Sequence, residues 1–185
     1  GLVPEDTFGV VSGRMTLNMQ GLNKSNLHGA LTVRDFEYSS KDQKIKLDSV
    51  VLLDELLNEG HRIELMSDVG RARFAGKTSL FDLPYAFLLI AQEYAPAAVE
   101  GIELGKVDTT QVVDYDLLVY DSRQLEKFIS PDFHLGGQVH ITGNLRTRDA
   151  FMDVHLDTIS WRYGDLAMSN QTAVVSPGGK GLRFD

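Results

Sequence analysis

Residues 80–96 read LFDLPYAFLLIAQEYAP, and this is the one stretch of the chain that is typical of a helix. Asp82 is suited to the N-cap, Pro84 fits the first turn, where a backbone N–H has no partner, and Pro96 stops the helix. Because residues 83–91 contain no charge, the helix is apolar around most of its circumference. Such a helix is buried in a core or lies against an apolar partner. It is too short to span a membrane, which takes about 20 apolar residues.

Before this helix, the chain alternates between apolar and polar residues, which is the period of half-buried β-strands. The alternation is strictest at 13–19 and returns at 29–36, 61–68 and 69–77, and a further strand starts at 45 and runs on through 50–53. Turn-forming residues separate these segments. We therefore predict successive antiparallel hairpins ahead of the helix.

After the helix, a connection leads into a second set of strands. Ser122 can cap a short second helix at 122–129, and Pro131 would end it. Four segments have strand character: 112–120, 136–145, 150–161 and 165–175. A loop-like tail follows at 176–181.

The sequence thus predicts a mainly β fold with one or two short helices. Repeated antiparallel hairpins would form a curled or partly open sheet with an apolar face that needs a cover. The predicted segments are an irregular lead-in (1–11), a first β-rich half (12–78), the apolar helix (79–97), a connection with a short helix (98–135) and a second β-rich half (136–185). The chain starts without methionine and carries neither a signal peptide nor a transmembrane stretch. We expect it to be a fragment of a longer protein.

Composition excludes several classes of function. The net charge of −8 has the wrong sign for a nucleic-acid binder, so no nucleic-acid partner is expected. The chain has no cysteine, which rules out disulfides, zinc–thiolate sites and cysteine nucleophiles.

The polar residues show no specific catalytic signal. His134, His140 and His155 lie near one another in sequence and are compatible with imidazole ligation of a metal, but they lack a fixed ligand spacing. Carboxylates cluster at 54–59 and 114–121, a pattern that fits glycosidases but is also usual in solvent-exposed turns. No serine lies in a Gly-x-Ser-x-Gly frame. We therefore predict a non-enzymatic protein without a metal site or a cofactor.

Several short motifs, taken in order, resemble those of one family. They are IKLDSV at 45–50, IELMSD at 63–68, ARFAG at 72–76, the helix ending YAP at 94–96, LEKFISP at 125–131, and the stretch 133–143. This order is similar to the TamB (translocation and assembly module) family of bacterial envelope proteins, especially its Bacteroidota-type members, within the wider AsmA-like group. The resemblance covers most of residues 12–175.

The resemblance implies a function without catalysis. A TamB-like protein would be periplasmic and anchored in the inner membrane, with an elongated, curled β-sheet whose hydrophobic groove carries phospholipid toward the outer membrane. The implied partners are phospholipid or another acyl-chain lipid, neighbouring segments of the full-length protein, and an outer-membrane assembly partner. The family has no catalytic residues to carry over, and the apolar helix of this chain could plug or gate such a groove.

The groove candidates are the inward-facing apolar residues of the strands and three residues of the helix. They are Met15, Leu17, Met19, Leu31, Val33, Ile63, Leu65, Val139 and Ile141 on strands, with Phe87, Leu88 and Ile90 on the helix. Aliphatic side chains in a strip solvate acyl chains without any chemistry. The alternative for each residue is that it belongs to a closed protein core.

A second class of function stays open from sequence. Trp161 and Tyr163 alternate on one predicted strand and could form a stacking platform for sugar. The alternative is therefore a β-sandwich-like binding or adhesion module that recognises glycan or protein. Edge strands distinguish the two, because a conduit segment should expose unpaired edges and a sandwich should be self-contained.

Overall fold

In the computed structural model of this chain, eleven strands, one α-helix and one 3₁₀ turn are found in the residues that are described. Those residues are 9–23, 25–40, 44–94, 96–99, 101–102, 110–120, 133–178 and 181–184. The second helix predicted at 122–129 lies outside them.

The first half of the chain consists of five strands and the helix. The strands are β1 (Val10–Gln20), β2 (His28–Ser39), β3 (Lys44–Leu57), β4 (Gly60–Ser67) and β5 (Gly70–Lys77). Helix α1 (Leu83–Tyr94) follows them, and the 3₁₀ turn (Pro96–Val99) comes directly after it.

The second half contains the other six strands. They are β6 (Val112–Val119), β7 (Phe133–Leu135), β8 (Val139–Arg146), β9 (Phe151–Tyr163), β10 (Leu166–Gly178) and β11 (Gly181–Phe184).

All the strands belong to one antiparallel sheet. Its order is β1-β2-β3-β4-β5-β6-β8-β9-β10-β11, and the short strand β7 pairs with β9 beside this path. Within the described residues, β1 and β11 are the two edges, so the sheet does not close on itself. The predicted mainly β fold of antiparallel hairpins in an open sheet is confirmed.

The boundaries differ from the sequence prediction at both ends of the sheet. Strand β1 begins at Val10, two residues before the predicted start of the first β-rich half. The expectation of a loop from residue 176 was wrong at residues 176–178, because β10 continues through Gly178 and pairs there with β11. Pro177 misled the prediction, although proline is tolerated close to the edge of a sheet.

The start of helix α1 follows from the residues before it. The backbone N–H of Asp82 donates to Ser79 Oγ (3.2 Å), and that hydroxyl donates in turn to Asp82 Oδ2 (2.7 Å). The carbonyl of Ser79 accepts the N–H of Leu83 (2.9 Å), and the carbonyl of Asp82 accepts the N–H of Ala86 (3.0 Å). Asp82 is thus the residue before the helix, whereas the side chain that accepts a backbone N–H in the turn leading into it is Ser79 and not the predicted Asp82.

Helix α1 packs on one face of the sheet and forms the main core with it. The helix contributes Leu83, Ala86 and Ile90, all of them buried. The strand residues buried against them are Ile63, Val113, Tyr115 and Leu145. The apolar helix thus covers part of the sheet, as its composition requires.

A tyrosine fixes the second half of the sheet beneath the helix. Tyr115 lies opposite Gly143 of β8, and its hydroxyl donates to the carbonyl of Asp153 on β9 (2.5 Å). A side chain at position 143 would collide with that hydroxyl and with the same carbonyl, so glycine is required. Burial raises the pKa of Tyr115, and the charge of Asp153 raises it further, so the phenol stays protonated and donates at neutral pH.

Candidate functional site: the apolar face of the sheet

Residues that lie directly opposite one another in an antiparallel sheet share a face, and here they form a continuous row of aliphatic side chains. One residue from each of eight strands takes part. In strand order, this central row consists of Leu17, Leu31, Leu52, Leu65, Ala72, Leu117, Ile141 and Leu156. With neighbouring strands about 4.8 Å apart, the row is roughly 34 Å long.

All nine strand residues predicted for the groove lie on this apolar face. Leu17, Leu31, Leu65 and Ile141 are members of the central row itself. The others lie two residues from it along their strands, and therefore on the same side, at Met15, Met19, Val33, Ile63 and Val139. The sheet register thus brings together residues far apart in sequence.

Burial divides the predicted groove residues into two groups. Ile63 is 1% exposed and Ile90 is 4% exposed, and both lie in the core between the sheet and the helix. Met15 is 69% exposed and Leu17 is 60% exposed. The described part of the chain therefore leaves the β1 end of the apolar face open to solvent, whereas helix α1 covers its middle.

Helix α1 borders the central row with its aromatic and aliphatic residues. Phe87 makes edge-to-face contacts with Phe74 (centroids 5.9 Å apart) and with Tyr115 (5.8 Å). The core cluster that contains Ile90 also contacts Leu117 of the central row. Leu88 is half-buried. The helix is thus a wall at one side of the row.

The exposed end of the apolar face coincides with a sheet edge. Strand β1 has a neighbour on one side only among the described residues, and the exposed Met15 and Leu17 lie on it. Arg14 and Thr16 point to the opposite face, where Arg14 bonds to Asp35. An edge strand with exposed apolar side chains is a site where another molecule can bind.

Sequence reasoning missed four members of the central row: Leu52, Ala72, Leu117 and Leu156. At Leu52 the reason is plain, because residues 50–53 are apolar on both faces of β3 and give no period. The pairing of Leu52 with Leu31 supplies the missing information.

The other face of the sheet carries paired charges. Arg73 donates to Glu64 (2.8 Å), and His140 lies between Asp116 (3.2 Å) and Asp157 (3.0 Å). Of the other histidines named from sequence, His155 contacts Asp153 and His134 is exposed. The described residues contain no group of three or more ligand side chains placed to hold a metal ion.

A polar pair is buried near the end of the apolar face. His61 Nδ1 lies 2.7 Å from Asp54 Oδ1, both side chains are 1% exposed, and His61 Nε2 lies 3.2 Å from the carbonyl of Ser25. Each ring nitrogen thus lies within hydrogen-bond distance of an oxygen, one from a side chain and one from the backbone. The pair therefore joins the turn before β2 to the β3–β4 hairpin.

None of the helices in the described residues combines the length and the hydropathy needed to cross a membrane. In comparisons with known proteins, the chain matches no protein-family model, no curated protein and no solved structure.

Proposed function

We propose that this chain is a non-enzymatic, lipid-binding segment whose sheet offers an apolar surface to the acyl chains of phospholipid. The observation that supports this best is the central row, which ends in the exposed Leu17 beside the exposed Met15. Isolated apolar residues at a protein surface need no explanation, whereas a contiguous apolar surface indicates a binding site.

The dimensions and energetics suit an acyl chain. The hydrocarbon core of a bilayer is about 30 Å thick and holds two leaflets, so one acyl chain spans about 15 Å and fits within the row of roughly 34 Å. Each methylene group that leaves water for such a surface contributes about 0.8 kcal/mol. Binding would then depend on apolar area and need no catalytic group.

The TamB-like motifs give the cellular setting of this proposal. In that setting the protein is periplasmic, is anchored in the inner membrane outside this segment, and carries phospholipid toward the outer membrane. The neighbouring segments of the full-length protein would continue the surface, and an outer-membrane assembly partner would receive the lipid. The β-sandwich alternative gains no support from the architecture, since the described strands form one sheet with a helix on it.

Native mass spectrometry of the purified chain tests the proposal with a matched pair of variants. Leu17→Asp places a charge in the exposed part of the central row, and Thr16→Asp places the same charge one residue away on the opposite face. We expect phospholipid adducts in the wild type and in Thr16→Asp, and at least about a tenfold lower adduct fraction in Leu17→Asp, since a charge on an apolar surface costs more than 1.4 kcal/mol.

The same experiment can reject the proposal. A clean apo mass for the wild type, both before and after gentle delipidation and re-addition of phospholipid, would contradict lipid binding. Specific glycan adducts in its place would favour the binding or adhesion module. Circular dichroism of both variants checks that the sheet is intact.

A further inference from the structure

A cavity lined by several basic residues lies at one end of the sheet, where β5, β6 and β8 meet. Its volume is about 660 Å³, within the range of small-molecule sites. It is lined by Lys77, the segment Thr110–Gln111–Val112, Arg146, Arg148 and Asp149. These residues come from the end of β5, the start of β6 and the β8–β9 turn.

The sheet register places two of the cations on the strands on either side of one valine. Lys77 and Arg146 each lie directly opposite Val112, one on either side. Two strand spacings separate them, or about 10 Å between backbones. Their neighbours Gly76, Val113 and Leu145 belong to the apolar face, so by alternation the cations project from the other face.

The charge of the cavity is opposite to that of the protein. Three cations and one carboxylate line it, in a chain whose net charge is −8. Asp149 is engaged by Arg146, which donates to it from Nη2 (2.9 Å) and Nε (3.3 Å). Lys77 and Arg148 form no ion pair with any residue in the described ranges. The three cations outnumber the one carboxylate by two charges, and Arg146, by its hydrogen bonds, and Arg148, by its charge, both lower the pKa of Asp149.

The cavity is also held in shape before any ligand arrives. The guanidinium of Arg146 lies 4.0 Å from the centre of the Phe151 ring and is fixed further by Asp149. The N–H of Gln111 donates to Thr147 Oγ1 (3.0 Å), and the N–H of Thr147 donates to the carbonyl of Gln111 (3.1 Å). Because these contacts already order the site in the folded protein, ligand binding would cost less conformational entropy.

We propose that this cavity binds a phosphate group, with Lys77 and Arg148 as the principal ligands and Arg146 as a fixed third cation. Guanidinium and ammonium groups recognise phosphate through charge-assisted hydrogen bonds. The cavity exceeds the size of a free phosphate ion, so the ligand is a phosphorylated small molecule or a phospholipid headgroup. Since the cations lie on the face opposite the central row, this site does not depend on the lipid function proposed above.

Isothermal titration calorimetry with inorganic phosphate at low salt tests the site. We expect saturable binding that weakens by at least about tenfold in the double variant Lys77→Gln/Arg148→Gln, which removes two charge-assisted hydrogen bonds. The control Lys44→Gln/Lys46→Gln removes the same charge from residues that pair with Glu37 on another strand end, and it should bind phosphate within twofold of the wild type.

Two results would overturn the phosphate site: no saturable binding by the wild type, or an equal loss of affinity in both double variants. A competition arm then identifies the source of the phosphate. If vesicles of phosphatidylglycerol and phosphatidylcholine displace inorganic phosphate, the natural ligand is a phospholipid headgroup. If they do not displace it, the ligand is a soluble phosphorylated molecule. Lipid adducts in the mass spectrum of Lys77→Gln/Arg148→Gln would keep the apolar-face proposal intact whatever the outcome here.

Discussion

Replacement of Ile63 by alanine should lower the free energy of unfolding by about 3 kcal/mol, because it opens a cavity beneath the helix. Ile63 is 1% exposed and packs in the same cluster as Ala86 and Ile90 of helix α1. The helix cannot fill the space without moving away from Tyr115, which Phe87 also contacts. Urea denaturation followed by circular dichroism measures this loss.

Leu65→Ala is the matched control, since Leu65 is on the same strand and the same face but is 41% exposed. We expect it to cost about 1 kcal/mol or less. Equal losses at the two positions would contradict the finding that helix α1 covers Ile63 and leaves Leu65 partly exposed. A small loss at Ile63 alone would mean that the helix does not pack where the structure places it.

Replacement of His61 by alanine should cost about 3 kcal/mol or more, because it removes the hydrogen-bond partner of a buried carboxyl group and also empties the space of a fully buried ring. It leaves the carboxylate of Asp54 buried without the donor at its Oδ1, and the other oxygen of Asp54 already has no partner in the described structure. Leaving a buried polar group without its hydrogen-bond partner is strongly destabilising for this reason. Thermal and urea denaturation at neutral pH measure the effect.

Two further variants identify the cause of that loss. Arg62→Ala, in the neighbouring exposed pair with Glu55, should change stability by about 0.5 kcal/mol or less. His61→Leu combined with Asp54→Leu should recover most of the stability, because apolar replacement of a buried pair is often neutral. If the double variant is less stable than His61→Ala alone, the uncompensated carboxylate is not the cause.

Much of the fold could be predicted from local patterns. The alternation through Met15, Leu17 and Met19 gave a strand with the correct apolar side, and the uncharged stretch with Pro84 and Pro96 gave the helix. These signals depend on neighbours in sequence, which is why they succeed. The same alternation predicts the strands of the repeated hairpins, whereas the curled, open form of the sheet was expected from the resemblance to the TamB family.

The covering of the apolar face could not be predicted, because it depends on contacts between distant residues. Ile63 and Leu65 are equivalent in the pattern of β4, yet the helix covers the first and leaves the second exposed. The contact between the carbonyl of Ser25 and the ring of His61 likewise joins residues that are far apart in sequence. Sequence gave no signal for the basic cavity, whose cations Lys77 and Arg146 meet only through the pairing of three strands.

Position-specific photo-cross-linking tests the lipid-binding account most directly. A photoreactive phenylalanine derivative at position 17 lies in the exposed part of the central row, and the same residue at position 16 lies on the opposite face. With phospholipid vesicles present, the account predicts lipid cross-links from position 17 and few or none from position 16. Equal cross-linking from the two positions, or none from position 17, would contradict it.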